Sequence, residues 1–242
     1  MEDKGYKKGI ILSNEKVGKD VYKMVLKGEF EGKPGQFYML KAWNGYPLLA
    51  RPLSICDRDD ETITFLYLIV GKGTEILSKL HAEDEIDLLG PLGNGFEIKK
   101  GKKTALIAGG IGIAPLLYLA KNLEGSIDLY AGFKYEPYFT EEFENFTEEI
   151  LISTEDGNTG RKGYVTNLVK DEYDQVYVCG PNSMMKAVQE LDLNSEVFLS
   201  LEAHMACGIG ACLGCGVKTT EGVKRVCYDG PVFEASAVIF DA

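Results

Sequence analysis

Histidine, long apolar runs and excess positive charge are all scarce in this sequence. Only two of the 242 residues are histidines, so neither a multi-histidine metal centre nor a histidine-rich acid–base mechanism is expected. No apolar run approaches the roughly 20 residues that span a bilayer, and the N-terminal residues carry no apolar stretch typical of a secretory signal. The formal net charge of −11 disfavours nucleic acid as a partner, because phosphate binding needs clustered Lys and Arg. We therefore expect a cytoplasmic protein that binds neither membrane nor nucleic acid.

The six cysteines are unevenly distributed along the chain. Cys56 and Cys179 stand alone. The other four lie near the C-terminus with the spacing Cys207-x4-Cys212-x2-Cys215-x11-Cys227. In a chain without an export signal, such a cluster indicates metal binding rather than disulfides. An x4 and x2 spacing with a more distant fourth cysteine is typical of plant-type [2Fe–2S] sites. A structural zinc site is the alternative, although zinc ribbons usually have paired x2 knuckles.

The pattern of apolar segments predicts an α+β multidomain protein. Residues 1–100 contain six short β-strand patterns separated by turn signals, which suits a small antiparallel β-barrel. The strands are predicted at Lys8–Leu12, Val21–Leu26, Gln36–Ala42, Pro52–Cys56, Thr62–Val70 and Glu85–Leu89. One short helix is predicted at Thr74–Leu80.

From residue 101 onward, apolar strands alternate with helical patterns, which predicts a parallel sheet with helices on both faces across residues 101–200. The strands are predicted at Thr104–Ala108, Ile127–Gly132, Ile150–Ser153, Val176–Cys179 and Val197–Ser200. The helices are predicted at Ile113–Leu123, Pro137–Phe146, Val165–Lys170 and Ser183–Leu191. Residues 201–242 are too few for an independent apolar core, so we expect a small C-terminal segment that a bound cofactor organises.

Two motifs in the barrel region have the chemistry of a flavin site. Arg51-Pro52-Leu53-Ser54 opens a strand, where the arginine can meet a pyrophosphate through charge-assisted hydrogen bonds and the serine offers a short donor. Gly71-Lys72-Gly73-Thr74 opens the short helix, where backbone N–H groups can meet an anion. Each motif alone is equally compatible with a solvated arginine or an ordinary glycine turn. Gly90–Phe96 closes the barrel region and is interpreted as a turn between domains.

Two loops in the second region are candidates for nucleotide binding. Gly109, Gly110 and Gly112 lie between a predicted strand and a predicted helix, the context in which a dinucleotide pyrophosphate binds, although the G-x-G-x-x-G fingerprint is absent. Cys179 and Gly180 form a second loop at the same carboxyl edge of the sheet. Cys179 can contact a nicotinamide there, or it can be a buried small apolar residue.

Together, Arg51–Ser54, Gly90–Phe96, Gly109–Pro115 and Cys179–Pro181 resemble the ferredoxin–NADP reductase superfamily over residues 1–200. With the stretches Leu201–Cys212 and Val226–Phe233, the whole chain closely resembles one family within it, the electron-transfer subunits of NAD-dependent (class 1B) dihydroorotate dehydrogenases. In a related subunit, that of NADH-dependent ferredoxin:NADP oxidoreductase, an aspartate stands where Cys207 stands here.

This resemblance implies an oxidoreductase with FAD, a [2Fe–2S] cluster and NAD as co-substrate. It implies FAD contacts from the barrel region and cluster ligation by the four clustered cysteines. The implied FAD residues are Arg51, Pro52, Leu53, Ser54, Leu66, Tyr67, Leu68, Gly73 and Thr74. It also implies a hetero-oligomer with an FMN-containing dihydroorotate dehydrogenase catalytic subunit, which oxidises dihydroorotate to orotate in pyrimidine biosynthesis.

A flavin can exchange two electrons with a nicotinamide and single electrons with an iron–sulfur cluster, so it is expected between them. No acid–base residue is expected from this chain, and His204 is interpreted as structural. NAD is favoured over NADP, because Lys134 and Glu136 follow the second strand of the sheet without an arginine. Two alternatives stay open: an oxidoreductase subunit of another complex, such as a hydrogenase, sulfur reductase or ferredoxin:NADP oxidoreductase, and a zinc-stapled binding module without enzymatic activity.

Overall fold

The N-terminal part of the chain folds into a closed β-barrel, as the sequence predicts. The computed structural model describes residues 6–240. Six antiparallel strands form the barrel in the order β1-β2-β5-β4-β3-β6. Their bounds are β1 Tyr6–Gly18, β2 Val21–Lys27, β3 Phe37–Lys41, β4 Arg51–Arg58, β5 Thr62–Leu68 and β6 Glu85–Leu92. Because side chains alternate across each strand, large residues such as Tyr38 and Phe65 fill the interior and lie edge to face, with ring centroids 6.1 Å apart.

The predicted barrel elements differ from the structure in extent, as strand β1 and the short helix show. Strand β1 continues to Gly18, well past Leu12, because its pairing with β2 persists through two register shifts despite the polar residues on its outer face. The short helix α1 spans Lys72–Leu77 and begins two residues earlier than predicted. The Thr74 hydroxyl explains this start, since it accepts hydrogen bonds from the backbone N–H groups of Val70 and Gly71.

The second part of the chain forms a seven-stranded sheet in the order β10-β9-β8-β7-β11-β12-β15. The bounds are β7 Thr104–Gly109, β8 Ile127–Phe133, β9 Glu149–Thr154, β10 Arg161–Lys162, β11 Gln175–Cys179, β12 Glu196–Ser200 and β15 Val232–Glu234. Every neighbouring pair is parallel except β12 and β15. The five predicted strands and their parallel arrangement are therefore confirmed, whereas β10 and β15 were not predicted.

Helices are fewer than predicted. The α-helices of this part are α2 Ile113–Ala120 and α3 Asn182–Gln189. The predicted helices at Pro137–Phe146 and Val165–Lys170 are wrong, because only 3₁₀ turns form at Thr140–Phe143 and Val165–Leu168. Phe139 has a φ of 66°, so no right-handed helix passes through it, and Val169 is already extended.

Helix α2 lies between the barrel and the sheet. All eight of its residues are buried, which fits a sequence that is apolar on every face. At its barrel side, the Tyr118 hydroxyl accepts a hydrogen bond from Arg58 at 3.3 Å and donates one to the Gly32 carbonyl at 3.2 Å. The helix therefore joins the two parts through both apolar packing and hydrogen bonds.

The C-terminal segment contains a small hairpin and an edge strand. Strands β13 Gly216–Thr219 and β14 Gly222–Arg225 form a two-stranded antiparallel sheet, and Thr219 of β13 also forms an isolated antiparallel bridge with Val238. Strand β15 follows and pairs antiparallel with β12, Leu199 opposite Phe233. The segment thus continues the sheet of the preceding part at one edge, which a boundary drawn at residue 200 from sequence alone does not suggest.

Candidate flavin, nucleotide and cluster sites

The four clustered cysteines lie together as two pairs of sulfur atoms. The Sγ atoms of Cys215 and Cys227 are 3.2 Å apart, too far for a disulfide bond, and both residues are buried. The thiols of Cys207 and Cys212 lie close to each other as a second pair, at a more exposed position. Within residues 6–240, no group of three or more Cys, His, Asp or Glu residues is gathered around a position for a single metal ion.

Backbone N–H groups point at these sulfurs. Gly210 N–H donates to Cys227 Sγ at 3.1 Å, and the N–H groups of Ala211 and Cys212 donate to Cys207 Sγ at 3.3 and 3.4 Å. Burial opposes ionisation of the Cys207 thiol, but these N–H donors outweigh it and lower its pKa to about 6. The pKa of Cys227 is raised to about 12 by burial and by the neighbouring Cys215 thiol. The loop is therefore built to stabilise negative charge on sulfur, most of all on Cys207.

Two glycines make this loop possible. Gly208 has a φ of 71°, and a Cβ there would lie 2.8 Å from Cγ of Met39 on β3. Gly210 has a φ of 80°, and a Cβ there would lie 2.9 Å from Cβ of Tyr228. Glycine is needed at both positions because the backbone is left-handed and a neighbouring residue fills the space.

The donor set fits a binuclear iron–sulfur cluster. Such a cluster takes two thiolates on each iron, and the sulfurs lie as two pairs with N–H donors around them. A mononuclear zinc site instead needs four sulfurs at about 2.3 Å around one centre. The cysteine spacing, which is typical of plant-type [2Fe–2S] sites, therefore favours the cluster over zinc.

The turn before the nucleotide-binding part holds the cluster segment against the barrel. A Cβ at Gly93 would lie 2.6 Å from Pro231 Cδ, so the two backbones are in direct contact. The Asn94 side chain donates to the carbonyls of Tyr228 and Asp229, and its backbone N–H donates to Gly230 O at 2.6 Å. Sequence reasoning treated Gly90–Phe96 as a plain connection. The high glycine content of this stretch is the sequence feature that indicates a close approach of another backbone.

The arginine of the flavin motif lies on the start of helix α1. A Cβ at Gly73 would lie 2.3 Å from Arg51 Nε, so a larger residue there would displace the guanidinium. Arg51 donates to the Leu49 carbonyl at 2.6 Å, and its guanidinium lies 5.5 Å from the centre of the Trp43 ring. Two motifs that are about 20 residues apart in sequence thus form one positively charged surface at the end of the barrel.

The four motif residues Arg51, Pro52, Leu53 and Ser54 are all half-buried and pair with β3. Pro52 lacks an N–H group, and this part of β4 has no partner on its β5 side, since that pairing begins at Ile55. The backbone on the unpaired side of β4 is consequently available to a ligand.

The side chains of Leu66 and Tyr67 have structural roles. Leu66 belongs to the core beneath α2, and Tyr67 belongs to the barrel core, where its hydroxyl donates to Asn14 at 2.9 Å. Leu68 is half-buried at the strand end. A flavin contact from Leu66 and Tyr67 therefore has to use the backbone. The Thr74 hydroxyl also has a structural role, because it accepts a hydrogen bond from Val70 N–H and donates one to the Gly71 carbonyl at the start of α1.

The two nucleotide loops meet at the carboxyl edge of the sheet. A Cβ at Gly112 would lie 2.2 Å from the Cys179 carbonyl oxygen, and a Cβ at Gly180 would lie 2.9 Å from the Gly109 nitrogen. Gly110 has more space, since the nearest atom to a Cβ there is the Tyr138 hydroxyl at 3.8 Å. The structure thus brings together Gly109, Gly110, Gly112, Cys179 and Gly180, and the close backbone contact explains why glycine occurs at these places.

The two lone cysteines are buried. Cys179 and Cys56 are at most 2% exposed, and burial raises the pKa of each thiol. Cys179 is the sheet partner of Ser200 on the adjacent strand β12. Of the two interpretations of Cys179, the small buried residue describes its side chain better, while its carbonyl shapes the glycine loop.

A basic and aromatic surface follows β8. The Nζ atoms of Lys134 and Lys19 lie 5.4 and 5.1 Å from the centre of the exposed Tyr135 ring. Lys19 comes from the β1–β2 turn of the barrel and was not identified from the sequence, because nothing local links it to Lys134.

No helix within residues 6–240 is both long enough and apolar enough to cross a membrane.

Two family models match the chain. Residues 202–239 match the iron–sulfur cluster binding domain of dihydroorotate dehydrogenase B, and residues 106–190 match the oxidoreductase NAD-binding domain.

Relatives and solved structures give the same result. The electron transfer subunit of dihydroorotate dehydrogenase B (NAD(+)) from Clostridium acetobutylicum is 52% identical over 96% of both chains. That from Caldanaerobacter subterraneus subsp. tengcongensis is 46% identical over 96% of this chain and 98% of its own. A structure of an NADH-dependent reduced ferredoxin-NADP oxidoreductase superposes with a TM-score of 0.86 at 28% identity, covering 96% of this chain and 89% of that one.

A ferredoxin NADP+ reductase from Neisseria gonorrhoeae has the same fold, with a TM-score of 0.63 at 18% identity over 80% of this chain and 93% of its own. Identity near one half along the whole length goes beyond a shared fold. The chain belongs to the family of electron transfer subunits of dihydroorotate dehydrogenase B (NAD(+)).

Proposed function

We propose that this chain carries electrons between an FMN-containing dihydroorotate dehydrogenase catalytic subunit and NAD⁺. Its relatives are named as the electron transfer subunits of that enzyme. The observation that carries the proposal within this chain is the two-pair arrangement of four sulfurs, held by Asn94 against the barrel that bears the flavin motif. Cys207, Cys212, Cys215 and Cys227 would hold the cluster that accepts single electrons from the catalytic subunit, and the nucleotide loops would hold the NAD⁺ that finally receives them.

Three units divide this work in the proposal: residues 1–100 hold FAD, residues 101–200 hold NAD(H) and residues 201–242 hold the [2Fe–2S] cluster. When bound, the flavin couples the two-electron chemistry of the nicotinamide to the one-electron chemistry of the cluster. The complex acts in the cytoplasm in pyrimidine biosynthesis.

The barrel residues bind and orient the flavin. The Arg51 guanidinium, backed by Gly73, supplies fixed positive charge for the pyrophosphate. The exposed side of β4 at Pro52, Leu53 and Ser54 offers backbone groups and a hydroxyl to the ring system. Leu66, Tyr67, Leu68 and Thr74 shape this surface through their backbone positions.

The sheet residues bind the dinucleotide. Gly109, Gly110 and Gly112 turn the chain from β7 into α2, where backbone N–H groups would bind a pyrophosphate at the carboxyl edge. Cys179 and Gly180 close the same site from the neighbouring strand. No proton transfer from a side chain of this protein is needed for hydride exchange, so no catalytic acid or base is assigned.

The experiment that tests this function is anaerobic native purification, followed by cofactor and subunit analysis. We expect FAD, iron and acid-labile sulfide in the chain, with a second, FMN-containing subunit attached. Dihydroorotate should then reduce the complex, and NAD⁺ should reoxidise it. A loaded complex that dihydroorotate does not reduce, but that reduced ferredoxin does, would assign the chain to the ferredoxin-linked alternative instead. Colourless, zinc-containing material would contradict both.

A further inference from the structure

Arg225 connects the two halves of the cluster site. It ends β14, two residues before Cys227, and its guanidinium binds Asp229 through two hydrogen bonds of 2.9 and 3.2 Å. Its remaining donor, Nη1, reaches the Gly210 carbonyl at 3.1 Å. The guanidinium also lies 4.5 Å from the centre of the Tyr228 ring. One side chain therefore joins the turn around Cys227 to the loop that carries Cys207 and Cys212.

The carbonyl that Arg225 binds belongs to a peptide group that faces a cluster ligand. In the peptide between Gly210 and Ala211, the carbonyl accepts from Arg225 and the N–H donates to Cys207 Sγ at 3.3 Å. The C=O and N–H of a trans peptide point in opposite directions. The hydrogen bond from the guanidinium to the carbonyl therefore orients the N–H of the same peptide toward the sulfur.

This peptide group needs an outside support. Gly210 has no Cβ to restrict its rotation, and its φ of 80° lies where glycine has several accessible conformations. If the peptide rotated by half a turn, the Gly210 carbonyl oxygen would face the Cys207 sulfur in place of the N–H. Two electron-rich atoms would then be in contact, and the negative charge on sulfur would lose a donor.

We propose that Arg225 is a positioning residue that holds the 210–211 peptide with its N–H on the Cys207 sulfur and thereby raises the reduction potential of the cluster. The inference rests on the proposed function, because it assumes that the four cysteines hold the [2Fe–2S] cluster. Hydrogen bonds to ligand sulfurs stabilise the reduced, more negative form of such a cluster. A charged donor on the far side of the same peptide strengthens that hydrogen bond further.

A charge effect through space is the competing explanation, and the chain offers a matched control. Lys224 precedes Arg225 and carries the same charge, but it pairs with Glu221 at 2.9 Å, whereas the hydrogen bond to the Gly210 carbonyl comes from Arg225. Lys224→Gln removes a nearby positive charge and leaves the peptide held. Arg225→Lys keeps the charge but loses the planar fork that binds Asp229 and Gly210 together.

The experiment compares Arg225→Gln, Arg225→Lys and Lys224→Gln in the complete complex, using redox titration followed by electron paramagnetic resonance. We expect both Arg225 variants to shift the cluster potential negative by about a tenfold change in the one-electron equilibrium, which is about 59 mV. Lys224→Gln should shift it far less. Equal shifts in Lys224→Gln and Arg225→Gln, a wild-type potential in Arg225→Lys, or no shift at all would overturn the proposal.

Amide hydrogen exchange over residues 208–214 gives a second readout that does not depend on cluster loading. The Ala211 amide should exchange faster than in wild type in both Arg225 variants. In Lys224→Gln it should exchange at the wild-type rate. If the Arg225 variants assemble no cluster, the same comparison is made on cluster-free wild type and variants, and equal protection would overturn the proposal. A wild-type protein without iron and sulfide contradicts the proposed function, whereas loaded variants with unchanged potential contradict only this inference.

Discussion

The barrel and the C-terminal segment of this protein are stabilised by different interactions. The barrel encloses fully buried side chains such as Tyr38, Phe65 and Tyr67, which pack in direct ring contact. The C-terminal segment buries few large side chains, and its most buried residues include Cys215 and Cys227, two of the proposed cluster ligands. Apolar burial stabilises folding by about 25 cal/mol per Å², so the barrel can hold its shape without a ligand.

The C-terminal segment instead depends on its contacts. It is held by its small hairpin, by the pairing of β15 with β12, by Asn94 and by the ion pair between Arg225 and Asp229. Segments with so little apolar core commonly gain stability from the metal they bind. The comparison predicts that changes in this segment affect the cluster first, while changes in the barrel and sheet affect the flavin and nucleotide.

The largest expected effect comes from removing a cluster ligand. Cys212→Ser should abolish cluster assembly, because a serine hydroxyl is a poor replacement for an exposed thiolate ligand. The rate of electron transfer from dihydroorotate to NAD⁺ should fall more than about 100-fold, which corresponds to an increase of about 2.7 kcal/mol or more in the activation free energy. FAD content and NADH oxidation by an artificial dye should be retained.

Iron, sulfide and flavin analysis checks this result, and Cys56→Ala is the matched control, because Cys56 lies in the core between barrel and sheet. Full dihydroorotate-dependent NAD⁺ reduction by the Cys212→Ser complex would refute the route through the cluster.

The second effect concerns the sheet. Gly112→Ala would place a methyl group 2.2 Å from the Cys179 carbonyl, where backbone and not a flexible side chain has to move. Such overpacking costs about 1–3 kcal/mol, and it should separate the two glycine loops and raise the KM for NADH. Thermal denaturation and steady-state dye reduction measure both changes.

Gly101→Asn is the control for this variant, because Gly101 is left-handed with no atom within 4 Å of a Cβ and asparagine tolerates that conformation. Unchanged stability and KM in Gly112→Ala would show that the loops are not in the contact described.

The third effect concerns the barrel. Arg51→Ala should weaken FAD binding by about 10- to 100-fold, since a charge-assisted hydrogen bond contributes about 1.5–3 kcal/mol. Flavin release on gel filtration and fluorescence titration of the flavin-free protein measure it, with the exposed Arg161→Ala as control. The cluster should stay assembled. Undiminished flavin content would remove Arg51 from the site.

The fourth effect tests how the two regions are joined. Asn94→Ala removes side-chain hydrogen bonds to the carbonyls of Tyr228 and Asp229, which together contribute about 1 kcal/mol. We expect faster amide exchange across residues 226–231 and earlier loss of iron on mild heating, with unchanged exchange in the barrel strands. Asn44→Ala, in the exposed β3–β4 turn, is the control. Equal exchange in both variants would show that the segment docks independently of Asn94.

The last prediction is that the Cys56 and Cys179 thiols do not react with an alkylating reagent. Burial raises the pKa of the Cys56 and Cys179 thiols, so both stay protonated at pH 8 and are inaccessible to reagent. Iodoacetamide should leave these two residues unmodified in the native protein, as mass spectrometry of digests can show. Rapid modification of Cys179 would place its thiol in an open nucleotide site.

Local patterns predicted much of this architecture. Six alternating strands before residue 100 and a strand–helix alternation after it are periodic features, so the barrel and the parallel sheet followed from the chain alone. The helix at Pro137–Phe146 failed because Phe139 adopts a left-handed conformation, which composition does not reveal. Strand β15 was missed because three residues form a strand only where a neighbour such as β12 offers an edge.

Ligand identity was encoded locally, because four cysteines at a characteristic spacing carry their chemistry wherever the chain places them. The tertiary structure alone decided which peptide groups face each sulfur, how Gly93 and Asn94 dock the segment on the barrel, and that Arg51 lies on Gly73. The N–H groups that face the sulfurs lie 4 to 17 positions from the cysteines they contact, whereas Asn94 and Asp229 are 135 positions apart. The geometry of these contacts depends on the folded path of the whole backbone, and no short stretch of sequence contains that information.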